Sequence, residues 1–224
     1  MSEIKLGTIK LIDDAIAKRV HSPRDYMGAS ILGKECDRDL WYSYKKPKPV
    51  HDPRVQRIFD MGHIIEEYVV GLLREAGLSV YEKDEAGKQF GFIDGAIAGH
   101  MDGVVMGLTE STKPHLLEIK SANEKRFKDF EKKGVKKMSN EYWVQIHVYM
   151  QKFKLDKGLF VIMNKNTCEL YFERVDYDKG VADVYLTRGH ELVGQVEEPS
   201  RKYKSSTFFK CRFCNYNEEC WADE

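Results

Sequence analysis

Asp102 and the pair Glu118 and Lys120 are the residues whose types and spacing could do chemistry. His100-Met101-Asp102-Gly103 sets one carboxylate among apolar neighbours, and after fifteen intervening residues comes Glu118, in Leu117-Glu118-Ile119-Lys120. Side chains alternate along a strand, so Glu118 and Lys120 share one face while Leu117 and Ile119 point to the core. Two carboxylates can hold a hard divalent cation through oxygen. Such a cation lowers the pKa of its water and stabilises charge on a phosphate. A neighbouring ammonium orients that water or offsets the developing charge. Each signal alone is weak. Glu-x-Lys on a strand is most often a solvated pair, and Asp before Gly is most often a turn residue. Two further elements add weight. Gly62-His63-Ile64-Ile65-Glu66 lies on an upstream helix and brings in Glu66, one turn after Gly62. Gln145 and Tyr149 are four apart and so share one face of a downstream helix.

The cysteines form a second constellation. Cys211 and Cys214 make a Cys-x-x-Cys pair, and Cys220 follows after five residues. Three thiols in ten residues are hard to ascribe to packing, and Cys36, in Gly33-Lys34-Glu35-Cys36, is the best fourth member of a closed tetrahedral set. Cys168, beside Leu170 and Phe172, reads as an ordinary buried thiol. The N-terminus has no charged-then-apolar signal layout, and no apolar run approaches the roughly 20 residues of a membrane helix. A cytoplasmic location follows as the expectation, and in a reducing compartment clustered cysteines are metal ligands more often than disulfides.

The elements that must position these groups change period along the chain. Residues 3–20 read as a helix through Ile4, Ile9, Leu11, Ile12 and Ile16, and Ser30–Tyr44 as a second. Lys45–Pro53, with three prolines, reads as a loop. Asp52–Ala76 reads as a long amphipathic helix on Ile58, Met61, Ile65, Val69 and Leu72, stopped at Gly77. Leu78–Glu82, Phe90–Ile93, Ala96–Met106 and His115–Lys120 are short, apolar and glycine-punctuated, as strands are. Helices are predicted at Ala122–Lys133 and Glu141–Phe153, a hairpin at Lys157–Asn164 and Cys168–Val175, and a last helix at Lys179–Val196, softened at Gly189. The tail from Pro199 is irregular. This order predicts an α/β (mixed α+β) fold, a central mixed sheet flanked by helices.

The chain has 224 residues, 42% hydrophobic, with 36 Lys plus Arg against 36 Asp plus Glu. That predicts one domain over 1–224, with a core of about 55–196. Zero net charge gives a nucleic-acid partner no support, so one would need a local patch. Lys125–Lys137 offers one, with seven basic residues against Asp129 and Glu131, and smaller clusters lie at Lys45, Lys46 and Lys48 and at Arg201, Lys202 and Lys204. Phe127, Phe130, Trp41, Tyr42, Tyr44 and Tyr203 lie nearby and could stack unpaired bases. The competing reading of 125–137 is a solvated helix and loop.

The order Gly-x-x-x-Glu, Asp-Gly, Glu-x-Lys, Gln-x-x-x-Tyr resembles the PD-(D/E)XK nuclease superfamily over about residues 58–150, and its RecB-like and phage-type exonucleases in particular. Met101 replaces the proline that names the superfamily, and Glu66 stands where many relatives carry histidine, which makes nearby His63 its rival. The resemblance implies a restriction-endonuclease-like core, with magnesium or manganese held by Asp102, Glu118, Glu66 and the backbone carbonyl of Ile119. It implies Lys120 as the catalytic lysine, with Gln145 and Tyr149 contacting DNA or steadying the site. The cysteine spacing is similar to that of the iron–sulfur branch, which includes CRISPR-associated exonucleases. That implies a [4Fe–4S] cluster on Cys36, Cys211, Cys214 and Cys220, with Zn2+ as the alternative, joining segments of about 25–50 and 199–224. The function implied is an exonuclease on DNA ends, single-stranded ones foremost, in a bacterial, archaeal or phage-infected cell, with CRISPR-adaptation or recombination proteins as partners and an oligomer allowed. A structure-specific endonuclease and a catalytically silent DNA-binding or assembly module are the competing readings.

Overall fold

The computed structural model describes residues 3–19, 25–46 and 52–222. Lys48 and most of the loop read at 45–53 lie outside the described residues. Helix α1 (Glu3–Ala17) is followed by a two-residue strand β1 (Met27–Gly28), a 3-10 turn (Ala29–Ile31) and α2 (Asp37–Lys45). The single helix expected over Ser30–Tyr44 is therefore a turn and a shorter helix, and Cys36 is the residue that opens the latter. Helix α3 (Pro53–Glu75) starts where Asp52 accepts a hydrogen bond from the Arg54 N–H and Pro53 takes the first position.

Five strands form the main sheet, in the order β2 (Ser79–Tyr81), β5 (Gly103–Met106), β6 (His115–Ala122), β7 (Lys157–Asn164), β8 (Leu170–Asp176). Only β6 and β7 run parallel. A parallel pair needs a crossover, supplied by α4 (Glu124–Met138) and α5 (Asn140–Phe153). A second sheet has the order β1, β4 (Ile97–His100), β3 (Gly91–Asp94). Ala96–Met106, which reads as one strand, is thus two strands in two sheets, with Met101 and Asp102 at the break. Helix α6 (Lys179–Gly194) and two four-residue helices, α7 (Phe209–Arg212) and α8 (Asn217–Cys220), complete the chain. Among the described residues no helix is long and apolar enough to cross a membrane.

The sheet is covered on both faces. On one, Ile65, Val69, Val70 and Leu73 of α3 meet Val105, Leu117, Ile119 and Val161, each buried side chain contributing on the order of 2 kcal/mol. This corrects the stripe expected on α3: Ile58 and Met61 are 46% and 48% exposed, and the buried residues lie further along the helix. On the other face Leu116, Phe160 and Ile162 pack with Phe127, Phe130, Val144, Ile146 and Val148. Every residue from Val144 to Met150 is buried. The helix lies between the sheet and α6, so it needs apolar surface all round rather than on one side.

Two local expectations are corrected. Helix α6 runs unbroken through Gly189, which is buried because Ile97 and Leu32 approach to 2.8 Å of where a Cβ would sit. Cys168 is exposed, in the turn between β7 and β8 at φ 63°, rather than buried in a strand.

Candidate active site

The register of β5 on β6 pairs Gly103 with Leu117 and Val104 with Leu116. Continued by one residue it sets Asp102 opposite Glu118, and directly opposed residues have Cβ atoms about 5 Å apart. The strand ladder ends there in an unusual rung: Asp102 Oδ2 accepts the Ile119 backbone N–H at 2.7 Å. Glu118 is 0% exposed, and neither of its carboxylate oxygens has a hydrogen-bond partner in good geometry. Its counter-charge is the ammonium of Lys120, in direct contact with Oε1. Glu118 is buried and Lys120 partly so, with its ammonium against the Tyr142 ring of α5.

Crowding of like charges out of water raises carboxyl pKa values. Burial and then the charge of Asp102 push Glu118 up to about 8. Burial and Asp102 push Glu66 up to about 7. Burial raises Asp102 too, against the pull of Lys120 and of the Ile119 N–H. Burial works against the Lys120 charge, but Glu118 and Asp102 hold the ammonium above the ordinary lysine range. Glu66 is half-buried and within hydrogen-bonding reach of Asp102, whereas His63 is mostly exposed, 3.6 Å from Glu66. The structure therefore brings Glu66 into the group and leaves His63 at its rim. Among the described residues, no group of three or more His, Cys, Asp or Glu side chains is already arranged to hold a metal ion. The donor set nevertheless fits a hard divalent cation: three carboxyls, one of them buried with orphaned oxygens, are what such an ion would satisfy.

A cleft of about 420 Å³ opens over this group, and Glu66, Asp102, Gln145 and Tyr149 line it. The Gln145 side chain hydrogen-bonds the Tyr149 hydroxyl, and burial drives that phenol upward in pKa. Gly99 makes room for the ring: a Cβ there would meet Tyr149 Cε1 at 2.7 Å and the hydroxyl at 2.8 Å. Tyr26, Gly28 and Ser30, from β1 and the 3-10 turn and the residue before them, and His100 also line the cleft. These wall residues escape sequence reasoning. The histidine next to Met101-Asp102 was the signal available, and nothing local marks Ser30.

The basic segment 125–137 is largely exposed on α4. The aromatics that could stack bases are mostly elsewhere engaged: Phe127, Phe130, Trp41 and Tyr42 are buried, and Tyr203 stacks on Phe208 with centroids 4.3 Å apart. Arg201 donates to the Cys220 carbonyl and lies over Trp221, tying the tail rather than facing solvent.

Cys36, Cys211, Cys214 and Cys220 are all free thiols, half-buried. They share one electrostatic neighbourhood. Burial, then Cys220 and Cys36, raise the Cys211 pKa, and burial above all lifts Cys214 to about 11. Four such thiols have the right donor chemistry for a thiolate-held metal, although they are not closed into a ligand group. The segments that carry them are joined by other contacts. Trp41, Tyr42 and Tyr216 pack with Cys214 and Cys220, the Trp41 indole donates to the Gln195 carbonyl at 3.0 Å, and Arg38 donates to the Pro199 carbonyl at 2.7 Å.

No protein-family model and no curated protein matches the chain. Solved structures do. A protein solved as SSO0001 shares 15% identity and a TM-score of 0.51, over 100% of this chain and 98% of its own. An alkaline exonuclease, LHK-Exo, from Laribacter hongkongensis shares 17% identity with a TM-score of 0.52, over 82% of this chain and 90% of its own. The same exonuclease in complex with dAMP shares 18% with a TM-score of 0.54, over 80% and 90%. At these identities the likeness is one of fold.

Proposed function

We propose that the chain is a magnesium- or manganese-dependent deoxyribonuclease that hydrolyses phosphodiester bonds at DNA ends, single-stranded ends foremost. The observation that carries the reading is Glu118, a fully buried carboxylate opposite Asp102, with the Lys120 ammonium as its counter-charge, beneath an acid-lined cleft. The fold shared with an alkaline exonuclease supports it. In this reading Asp102, Glu118, Glu66 and the Ile119 carbonyl supply oxygen ligands. The bound cation supplies Lewis acidity toward water and phosphate. Lys120 offsets charge on the phosphate and steadies the attacking water. Gln145, held by Tyr149, orients the strand end in the cleft. A cavity this small suits one nucleotide at a chain terminus better than a continuous duplex.

The test is digestion of 5′- and 3′-labelled linear and circular DNA with and without manganese. Linear substrates should be degraded only with metal and circles spared. Asp102→Asn, Glu118→Gln and Lys120→Met should each abolish cleavage while keeping a cooperative melting transition. Full activity in any of the three would sink the site assignment. Cutting of circles would favour the endonuclease, and binding without cleavage the silent module.

The same reading gives Cys36, Cys211, Cys214 and Cys220 a [4Fe–4S] cluster, or a zinc ion in its place, with a structural role. Loss of one ligand then lowers stability rather than the chemistry directly. Metal analysis together with visible absorbance of the purified protein distinguishes the two, and a metal-free, fully stable protein would remove both.

A further inference from the structure

Arg126 is the cation of the basic helix whose contacts lead toward the Glu-x-Lys strand. Lys128 and Lys133 are paired one turn back with Glu124 at 2.5 Å and Asp129 at 2.7 Å, and Lys136 lies over Trp143. Arg126 is exposed and makes no ion pair among the described residues. Its guanidinium is turned onto α5, 5.6 Å from the Phe130 ring centre and 5.8 Å from that of Tyr142. The Lys120 ammonium lies on the same Tyr142 ring, at 5.5 Å. Phe130 backs that ring, nearly parallel to it at 6.2 Å and 17°. The Tyr142 backbone is fixed as well, because its N–H donates to Ser139 Oγ, the cap of α5. Residues 142, 145 and 149 are spaced by three and four, so Tyr142 extends the helix face that carries Gln145 and Tyr149 into the cleft.

Tyr142 is therefore where the Glu-x-Lys strand, the basic helix and the cleft-lining helix meet. A ring attracts each cation through its quadrupole, but two cations on one ring repel each other, and an anion between them removes the conflict. Lys120 already has Glu118. Arg126 has no such ion-pair partner among the described residues, and exposed Glu141 acts on it from a distance. A guanidinium left unpaired beside a reacting phosphate is suited to a second phosphate, which it can bind with two parallel hydrogen bonds.

We infer that Tyr142 is a positioning residue that holds Lys120 and Arg126 as a two-cation cradle, and that Arg126 contacts the substrate phosphate next to the one being cleaved. The inference rests on the nuclease reading and names how that site grips its strand.

The test uses the full chain, a single-stranded oligonucleotide, and two readouts: steady-state cleavage with manganese, and binding with calcium at a series of salt concentrations. Arg126→Ala should raise KM about tenfold with kcat within about twofold, and should lower the salt slope of binding by about 0.7, the value of one phosphate contact on a single strand. Tyr142→Leu keeps bulk but removes the ring. It should lose the same salt increment and also lower kcat by about tenfold, whereas Tyr142→Phe should stay within about twofold throughout. The double variant Arg126→Ala/Tyr142→Leu should bind no more weakly than Tyr142→Leu, since coupled residues do not add. An unchanged salt slope in Arg126→Ala overturns the phosphate contact, and because that side chain is exposed the variant keeps its fold. Equal losses in Tyr142→Phe and Tyr142→Leu overturn the role of the ring. A wild-type protein that neither binds nor cleaves DNA overturns the nuclease reading itself, an outcome distinct from active wild type with indifferent variants.

Discussion

Glu118 faces Asp102 across the end of a strand pair and has Lys120 as its counter-charge, so on the nuclease reading its proton and a metal ion compete for one place. Metal binding must expel protons held at Glu66, near 7, and at Glu118, near 8. Manganese affinity should therefore climb as pH rises from about 6 to about 8.5, with proton release visible by calorimetry in two buffers of different ionisation enthalpy. An affinity that is flat over that range would contradict the site. His147 acts on stability with its own sign. It is buried, accepts the Asp178 N–H at Nδ1, and burial lowers its pKa to about 4. The unfolded chain takes up this proton as pH falls through about 6.5, while the folded protein refuses it until about 4. The contribution is thus whole above 6.5 and is lost on acidification, on the order of 3 kcal/mol. Urea unfolding at pH 7.5 and pH 5 checks this, and His147→Gln should flatten the difference. The grouping of Asp102, Glu118 and Lys120 was legible in the sequence because strand periodicity and residue type speak together. The places of Ser30 and His100 in the cleft lining, and of Tyr142 against Lys120, were not, because they come from neighbours far along the chain.

The elements most easily read were those with strong caps and clean periods: α3 behind Asp52-Pro53, and α5 behind Ser139. The misread ones share a physical cause. The segment 96–106 is apolar on both sides of Gly99-His100-Met101-Asp102-Gly103, and hydrophobicity cannot tell one strand from two that leave in different sheets. The stripe on α3 is shifted because the helix outruns the sheet it covers. Helix α4 was read as ending at Lys133, yet it continues across a kink to Met138. Gly134 stands at φ 73° there, and Glu173 accepts the following Val135 N–H at 2.8 Å, capping the second half. Gly134→Ala should cost about 1–2 kcal/mol in urea unfolding, the strain of a side chain in the left-handed region. It should also weaken DNA binding by misaligning Lys136 and Lys137. Gly99→Ala should do the reverse, with a few degrees lost in Tm but activity down about tenfold, as the new methyl pushes Tyr149 away from Gln145. A Gly99→Ala enzyme with wild-type kcat would show that the ring's place is immaterial.

Over the whole molecule, the mixed sheet with helices on both sides follows from the alternation of helical and strand-like segments. The way the two ends meet does not, because it depends on aromatic and guanidinium contacts across about 180 residues. Tyr216 is central to that junction and buried at 4% exposure. Tyr216→Ala should lower stability by about 3 kcal/mol, measured by chemical unfolding of protein stripped of metal, which separates this packing from any contribution of the cysteines. A change under about 0.5 kcal/mol would mean that the Tyr216 ring does not hold the tail. The rung at the end of β5 has a different kind of consequence. Asp102 accepts the Ile119 N–H as a backbone carbonyl would, so it belongs to the sheet's architecture as well as to its chemistry. Neither Lys120 nor Glu66 takes a backbone group's place in the sheet in this way. On the nuclease reading, in a lineage that lost the activity selection on folding would shelter position 102, with Asn an acceptable heir, while position 66 drifted first. An aspartate standing alone at this place in a distant cousin would be a relic of shape and no evidence of a working enzyme.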